Sequence, residues 1–149
     1  MDGIIVINKE KDYTSHDVVA IVKKIFGEKV GHTGTLDPNA TGVLPLLIGK
    51  GTKLSKYLIE HDKIYKSTLK LGIKTDTADI TGNVIEAVDV GIITEEMINN
   101  VLQSFMGKQE QYPPIYSAIK INGKKLYEYA RSGKEVEVKP RNIQIYNIK

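Results

Sequence analysis

The chain has 149 residues, 41% hydrophobic and 26% charged, enough for about one domain around a single core, and this composition excludes collagen-like, low-complexity and disordered readings. The absence of cysteine excludes disulfides, cysteine-ligated zinc, iron–sulfur clusters and a thiol nucleophile. The formal net charge is +3, and all but Arg131 and Arg141 of the 21 cations are lysines, a balance that leans weakly towards an anionic partner such as nucleic acid.

In chain order, Gly3 to Asn8 (GIIVIN) reads as a short buried strand. Thr14 or Ser15 caps a helix running to about Phe26, with Val18, Val19, Val22, Ile25 and Phe26 on one face and Gly27 as its stop. Val30 to Gly42 has the composition of a loop. Val43 to Ile48 reads as a strand that Pro45 confines to an edge or bulge. A short helix follows over Lys53 to Glu60, and Lys63 to Leu71 alternates as a strand with Tyr65, Ser67, Leu69 and Leu71 on one face. A loop marked by Asp76, Asp79 and Gly82 precedes a strand over Val84 to Val90, and Thr94 caps a helix to about Met106 that Gly107 ends. The remainder reads as Ile115 to Ile121, a turn at Asn122-Gly123, a helical segment Lys125 to Arg131, and strands near Val136 and over Ile143 to Ile148. The irregular interleaving predicts an α+β fold with a mixed, largely antiparallel sheet flanked by helices, in one domain over residues 1–149. Because IQIYNIK has the pattern of an unfinished strand, a fragment of a longer protein is expected.

No apolar run is long enough for a membrane span, and Ile4 to Ile7 is too short for a secretory signal, so no membrane association and a cytoplasmic location are expected. The stretch from Gly42 to Gly51 falls short of a nucleotide-binding loop because its spacing is wrong and no Ser or Thr follows Lys50. Asp76 and Asp79 lack the alternation of a calcium loop and read as turn chemistry. His16, His32 and His61 have no paired spacing for zinc, so no metal is expected. What remains is Gly31-His32-Thr33-Gly34-Thr35-Leu36-Asp37-Pro38, a carboxylate in a glycine-rich loop held extended by the proline after it. Taken alone, Asp-Pro is ordinary turn chemistry.

The whole stretch Gly31 to Lys53, GHTGTLDPNATGVLPLLIGKGTK, resembles the signature of the TruB family of tRNA pseudouridine synthases, and further segments agree in order. These are DKIYK from Asp62 to Lys66, KTDTADITG from Lys74 to Gly82, PPIYSAIKINGKKLYEYAR from Pro113 to Arg131, and Pro140-Arg141. The resemblance implies the pseudouridine synthase fold and an isomerase that converts a uridine of the tRNA T-loop, position 55, to pseudouridine by detaching uracil from ribose C1′ and rejoining it through C5. It implies that Asp37 is the catalytic nucleophile, that Tyr65 stacks on the target base, and that His32 reaches the flipped nucleotide. Breaking a glycosidic bond calls for an anion that stabilises or traps an electron-poor sugar, and attack on uracil C6 also needs an unprotonated oxygen, so a carboxylate suits either route. Lys53 and Lys9, with Lys124 and Lys125, are candidate phosphate contacts. The partner implied is the tRNA T stem-loop, whose splayed loop suits protein recognition of RNA. No cofactor is expected, because the isomerisation consumes no redox or phosphate donor, and a monomer is expected.

Two departures stand out. The family's Asp-Lys-Pro-x-Gly-x-Thr-Ser is here Asn8-Lys9-Glu10-Lys11-Asp12-Tyr13-Thr14-Ser15, so that turn is expected to differ in shape. The resemblance also implies further catalytic strands with a Lys-Gly-Thr-Tyr-Ile-Arg-like motif, whose Arg pairs with the nucleophile, and then a small RNA-binding domain; neither Arg131 nor Arg141 matches that Arg, and residues 1–149 are expected to be a partial catalytic domain. The chain alone is therefore expected to be inactive or nearly so. Two alternatives are a non-catalytic tRNA-binding module of the same fold and a guide-RNA-dependent relative.

Overall fold

The computed structural model describes residues 1–149 apart from Glu60, Ala118 and Glu135, and the chain divides into two units, Met1–Lys66 and Ser67–Lys149. All strand pairs among the described residues are antiparallel, which agrees with the α+β expectation.

In the first unit, β1 (Gly3–Lys9) is followed by α1 (Ser15–Phe26), β2 (Val30–His32) and β3 (Gly42–Ile48), then a 3-10 turn (Gly49–Leu54) and the short α2 (Ser55–Leu58). The sheet order is β1-β3-β2, with Gly3 opposite Ile48, Lys9 opposite Gly42, and His32 opposite Leu46. Helix α1 begins where local chemistry places it. The Thr14 hydroxyl accepts from the Asp17 amide, Asp17 reaches back to the Thr14 amide, and Gly27 closes the helix at φ 67. Its inner residues Val18 and Val22 pack on Leu44, Leu46 and Ile48, with Ile5, Ile7 and Leu36 at the margin. Burying each large aliphatic side chain contributes roughly 2 kcal/mol.

Three strand expectations in this unit need correction. Strand β1 is an alternating edge strand, sending Ile5 and Ile7 inward while Ile4 and Val6 remain exposed. Gly31 and His32 belong to a strand, because β3 offers them a free edge. Pro45 lies in the central strand. A residue's N–H and C=O point to the same neighbour in a ladder, and the Pro45 carbonyl accepts from Thr33 N at 3.3 Å, so its nitrogen faces β2 just past His32, the last paired residue. The missing N–H therefore costs little there.

The expected strand over Lys63 to Leu71 is absent: these residues are exposed, Tyr65 to 75% and Leu69 to 82%, and no described strand pairs with them. Alternation records which way side chains face, whereas a strand also needs a hydrogen-bonding partner.

In the second unit, β4 (Ile73–Thr75) and β5 (Val84–Ala87) form a hairpin, followed by α3 (Glu95–Ser104), capped by Thr94. β6 (Gly107–Gln111), where no strand is expected from the sequence, pairs with β9 (Arg141–Ile145), which begins two residues before the expected Ile143. β7 (Lys120–Ile121) and β8 (Lys124–Lys125) meet at Asn122 and Gly123, both with positive φ, as a tight hairpin requires. α4 (Leu126–Arg131) buries Leu126 completely, and residues 136–140 form no strand. The Asp76–Asn83 loop is turn chemistry as expected. Asp79 accepts from Thr81 and Thr77, hydrogen bonds that hold its carboxyl below the usual range, and Asp76 accepts from Asn83.

Candidate active site

Asp37 lies in the loop that joins β2 to β3, and the residues around it are tied down from outside the loop. On its N-terminal side the Ser15 hydroxyl accepts from Leu36 N at 2.9 Å and donates to Leu36 O at 3.3 Å. On its C-terminal side the Pro38 carbonyl accepts from Asp12 N at 2.8 Å and from Lys9 Nζ at 3.3 Å, and Ala40 N donates to Asp37 O at 3.0 Å. The Asp37 side chain is exposed, and among the described residues no hydrogen bond or ion pair reaches its carboxylate. A braced backbone thus presents a free anion to solvent.

Lys9 is placed otherwise than a phosphate contact requires. It is 0% exposed, and its ammonium donates to the carbonyls of Glu10 (2.9 Å), Tyr13 (2.7 Å) and Pro38. Three donors meet three acceptors, so no N–H remains for an RNA phosphate. The phosphate expectation for Lys9 is corrected to a bracing role, because these carbonyls converge on the turn and draw the stem of the side chain inward. Asp12 accounts for the turn's shape. It stands where the family pattern has glycine and takes φ 70, a left-handed conformation that Asp tolerates better than most residues.

His32 ends β2 half-buried, its ring edge-on to His16 with centroids 5.3 Å apart and planes at 78°. Its Nδ1 is buried without a partner among the described residues. Burial first, and then the neighbouring His16, hold its pKa below the ordinary 6.5, with the Gly34 main chain nearby acting the other way. The unfolded chain therefore binds this proton first. The stability linked to neutral His32 is complete above the unfolded value of about 6.5 and is lost as pH falls below it. Titration of the His32 ring by NMR is expected to give a midpoint below 6.5 that moves part of the way back in His16→Ala, since burial persists. An unmoved midpoint would remove His16 as a cause.

Lys53 is exposed in the 3-10 turn, and Tyr65 is exposed in the unpaired segment, with no hydrogen bond or ring contact to Asp37 among the described residues. The fold brings Lys9 and Ser15 to the Asp37 loop, but not Tyr65 to the carboxylate. Shallow cavities of about 410 and 490 Å³ are lined by residues of the second unit alone. No cluster of three potential metal ligands occurs among the described residues, and no described helix is long and apolar enough to cross a membrane. Sequence reasoning missed Ser15 and Asp12 as supports of the loop. The signal for Asp12 was its place opposite the pattern's glycine; for Ser15 there was only its place beside the cap.

A profile described as "TruB family pseudouridylate synthase (N terminal domain)" matches residues 23–149. Two curated proteins called tRNA pseudouridine synthase B are each 50% identical over 149 residues, 99% of this chain. One is from Caldanaerobacter subterraneus subsp. tengcongensis, of which the match covers 52%, and one from Geotalea uraniireducens, of which it covers 48%. The chain thus spans about half the length of these relatives. Among solved structures, a chain in the crystal structure of a Cbf5–Nop10–Gar1 complex is similar with a TM-score of 0.53 and 31% identity, over 79% of this chain and 31% of that one.

Proposed function

Because the chain belongs to the TruB family of pseudouridylate synthases, we propose that it carries the nucleophile-bearing part of a tRNA pseudouridine synthase acting on uridine 55 of the T-loop. The observation that carries this reading is the unengaged Asp37 carboxylate on a loop braced from both sides. In the reaction Asp37 attacks either ribose C1′, displacing uracil, or uracil C6. On either route the N1–C1′ bond breaks, the base turns and C5 bonds to C1′; Asp37 is expelled from C1′ as that bond forms, or from C6 after it, while C5 gives up its proton and N1 takes one up. Nothing is gained or lost overall, so the reaction consumes no redox or group-donating cofactor. The exposed Tyr65 ring stacks on the extruded base, offsetting part of a flipping cost of a few kcal/mol. His32, neutral at pH 7, enters the flipped-nucleotide region as a wedge or contact, and Lys53 meets phosphate. The protein acts in the cytoplasm as a monomer on the T stem-loop. The stand-alone reading is preferred to the guide-dependent one because the named tRNA enzymes are 50% identical and the Cbf5 complex chain 31%.

The test is tritium release from C5-labelled uridine in a T stem-loop, using the protein at the length its gene encodes. Release matched by pseudouridine in the digested RNA is the expected result. Tight binding with no release would leave a tRNA-binding module instead. The 149-residue chain alone is expected to release little, because among the described residues no cation lies within ion-pairing distance of the Asp37 carboxylate.

A further inference from the structure

We propose that Ser15 is a positioning residue for Asp37, acting through both main-chain groups of Leu36; this rests on the reading of Asp37 as nucleophile. The Ser15 hydroxyl is 1% exposed and could not remain unbonded at that depth without cost. Its bonds do not serve its own helix. Thr14 is the cap of α1, and its hydroxyl takes the Asp17 amide at 3.1 Å. The Ser15 hydroxyl instead spans 21 positions to close on Leu36 alone, accepting from its N–H and donating to its C=O.

Leu36 is the residue before the nucleophile, and its carbonyl belongs to the same planar unit as the Asp37 amide. Holding that carbonyl therefore sets the plane from which Asp37 departs. Beyond Asp37, the proline ring fixes φ, and the Pro38 carbonyl is held by Asp12 N and Lys9 Nζ. With both flanks held, the freedom left to the carboxylate is mainly that of its own side-chain torsions. Such orientation is what a reacting group gains from its scaffold, and displacement by about 1 Å costs on the order of 10²-fold in rate.

Two measurements test this with Ser15→Ala, which keeps a good helix former at the start of α1. In the 149-residue chain, hydrogen exchange at the Leu36 amide is expected to quicken about tenfold or more while the Val22 amide in α1 is unchanged. In the protein at the length its gene encodes, kcat on the T stem-loop is expected to fall about 10²-fold with KM unchanged. Thr14→Ala, which weakens the same helix end without touching Leu36, controls for lost stability and is expected to keep kcat within about threefold.

Unchanged Leu36 exchange, kcat within about threefold of the unsubstituted protein, or an equal loss in Thr14→Ala would each overturn the assignment. Asp37→Asn run alongside separates the two claims. Full turnover in that variant removes Asp37 as nucleophile, whereas its loss together with an active Ser15→Ala removes the positioning role alone.

Discussion

Asp37→Asn is expected to lower pseudouridine formation by roughly four orders of magnitude, while RNA affinity and melting temperature stay close to those of the unsubstituted protein. The amide keeps the size of the carboxylate but cannot supply the anion that attacks or stabilises the sugar, nor easily leave when the new bond forms. Folding has little stake in the change. The side chain is exposed and unengaged among the described residues, and substitutions at such positions usually stay within about 0.5 kcal/mol. Single-turnover assays on a T stem-loop with a parallel thermal melt read both quantities. Turnover above about 1% of the original, or a melting shift of many degrees, contradicts the role given to Asp37.

Lys9→Met is expected to do the reverse, destabilising the first unit by about 3 kcal/mol and lowering its melting temperature by on the order of 10 °C. Methionine fills much of the buried volume but leaves the carbonyls of Glu10, Tyr13 and Pro38 without their shared donor. An acceptor left unpaired costs about 1–3 kcal/mol where it is buried and less where water reaches it, and the Pro38 carbonyl keeps its bond from Asp12 N, so the loss falls mainly on Glu10, Tyr13 and the emptied ammonium site. Lys9→Arg is not expected to restore the stability, since a planar fork does not match three carbonyls converging on one point and the site has no spare room. A thermal melt decides this against the phosphate-contact reading. If Lys9 touched RNA, the methionine variant would melt normally and bind the T stem-loop with weaker affinity and a shallower salt dependence.

The two substitutions act on one loop through different physics. Asp37 is free because its neighbours are not: Lys9, Asp12 and Ser15 use their polar groups on Leu36 and Pro38, leaving the carboxylate between them available.

Sequence alone determined what depends on near neighbours. The start and stop of α1 follow from a cap, a 3.6-residue apolar spacing and a left-handed glycine, all within one or two turns. The Asn122-Gly123 hairpin and the Asp76–Asn83 turn are equally local, and the site loop was legible because its motif is continuous from Gly31 to Lys53. Tertiary structure decided the rest. That Pro45 could sit in a central strand depended on β2 ending at His32; that Lys63 to Leu71 formed no strand depended on the lack of a described partner; and that Lys9 braced the loop depended on a turn that brings Pro38 to it across 29 positions. The reason is that periodicity and capping are properties of neighbouring residues, whereas a ladder partner or a buried ammonium's acceptors come from chain that is distant until it folds.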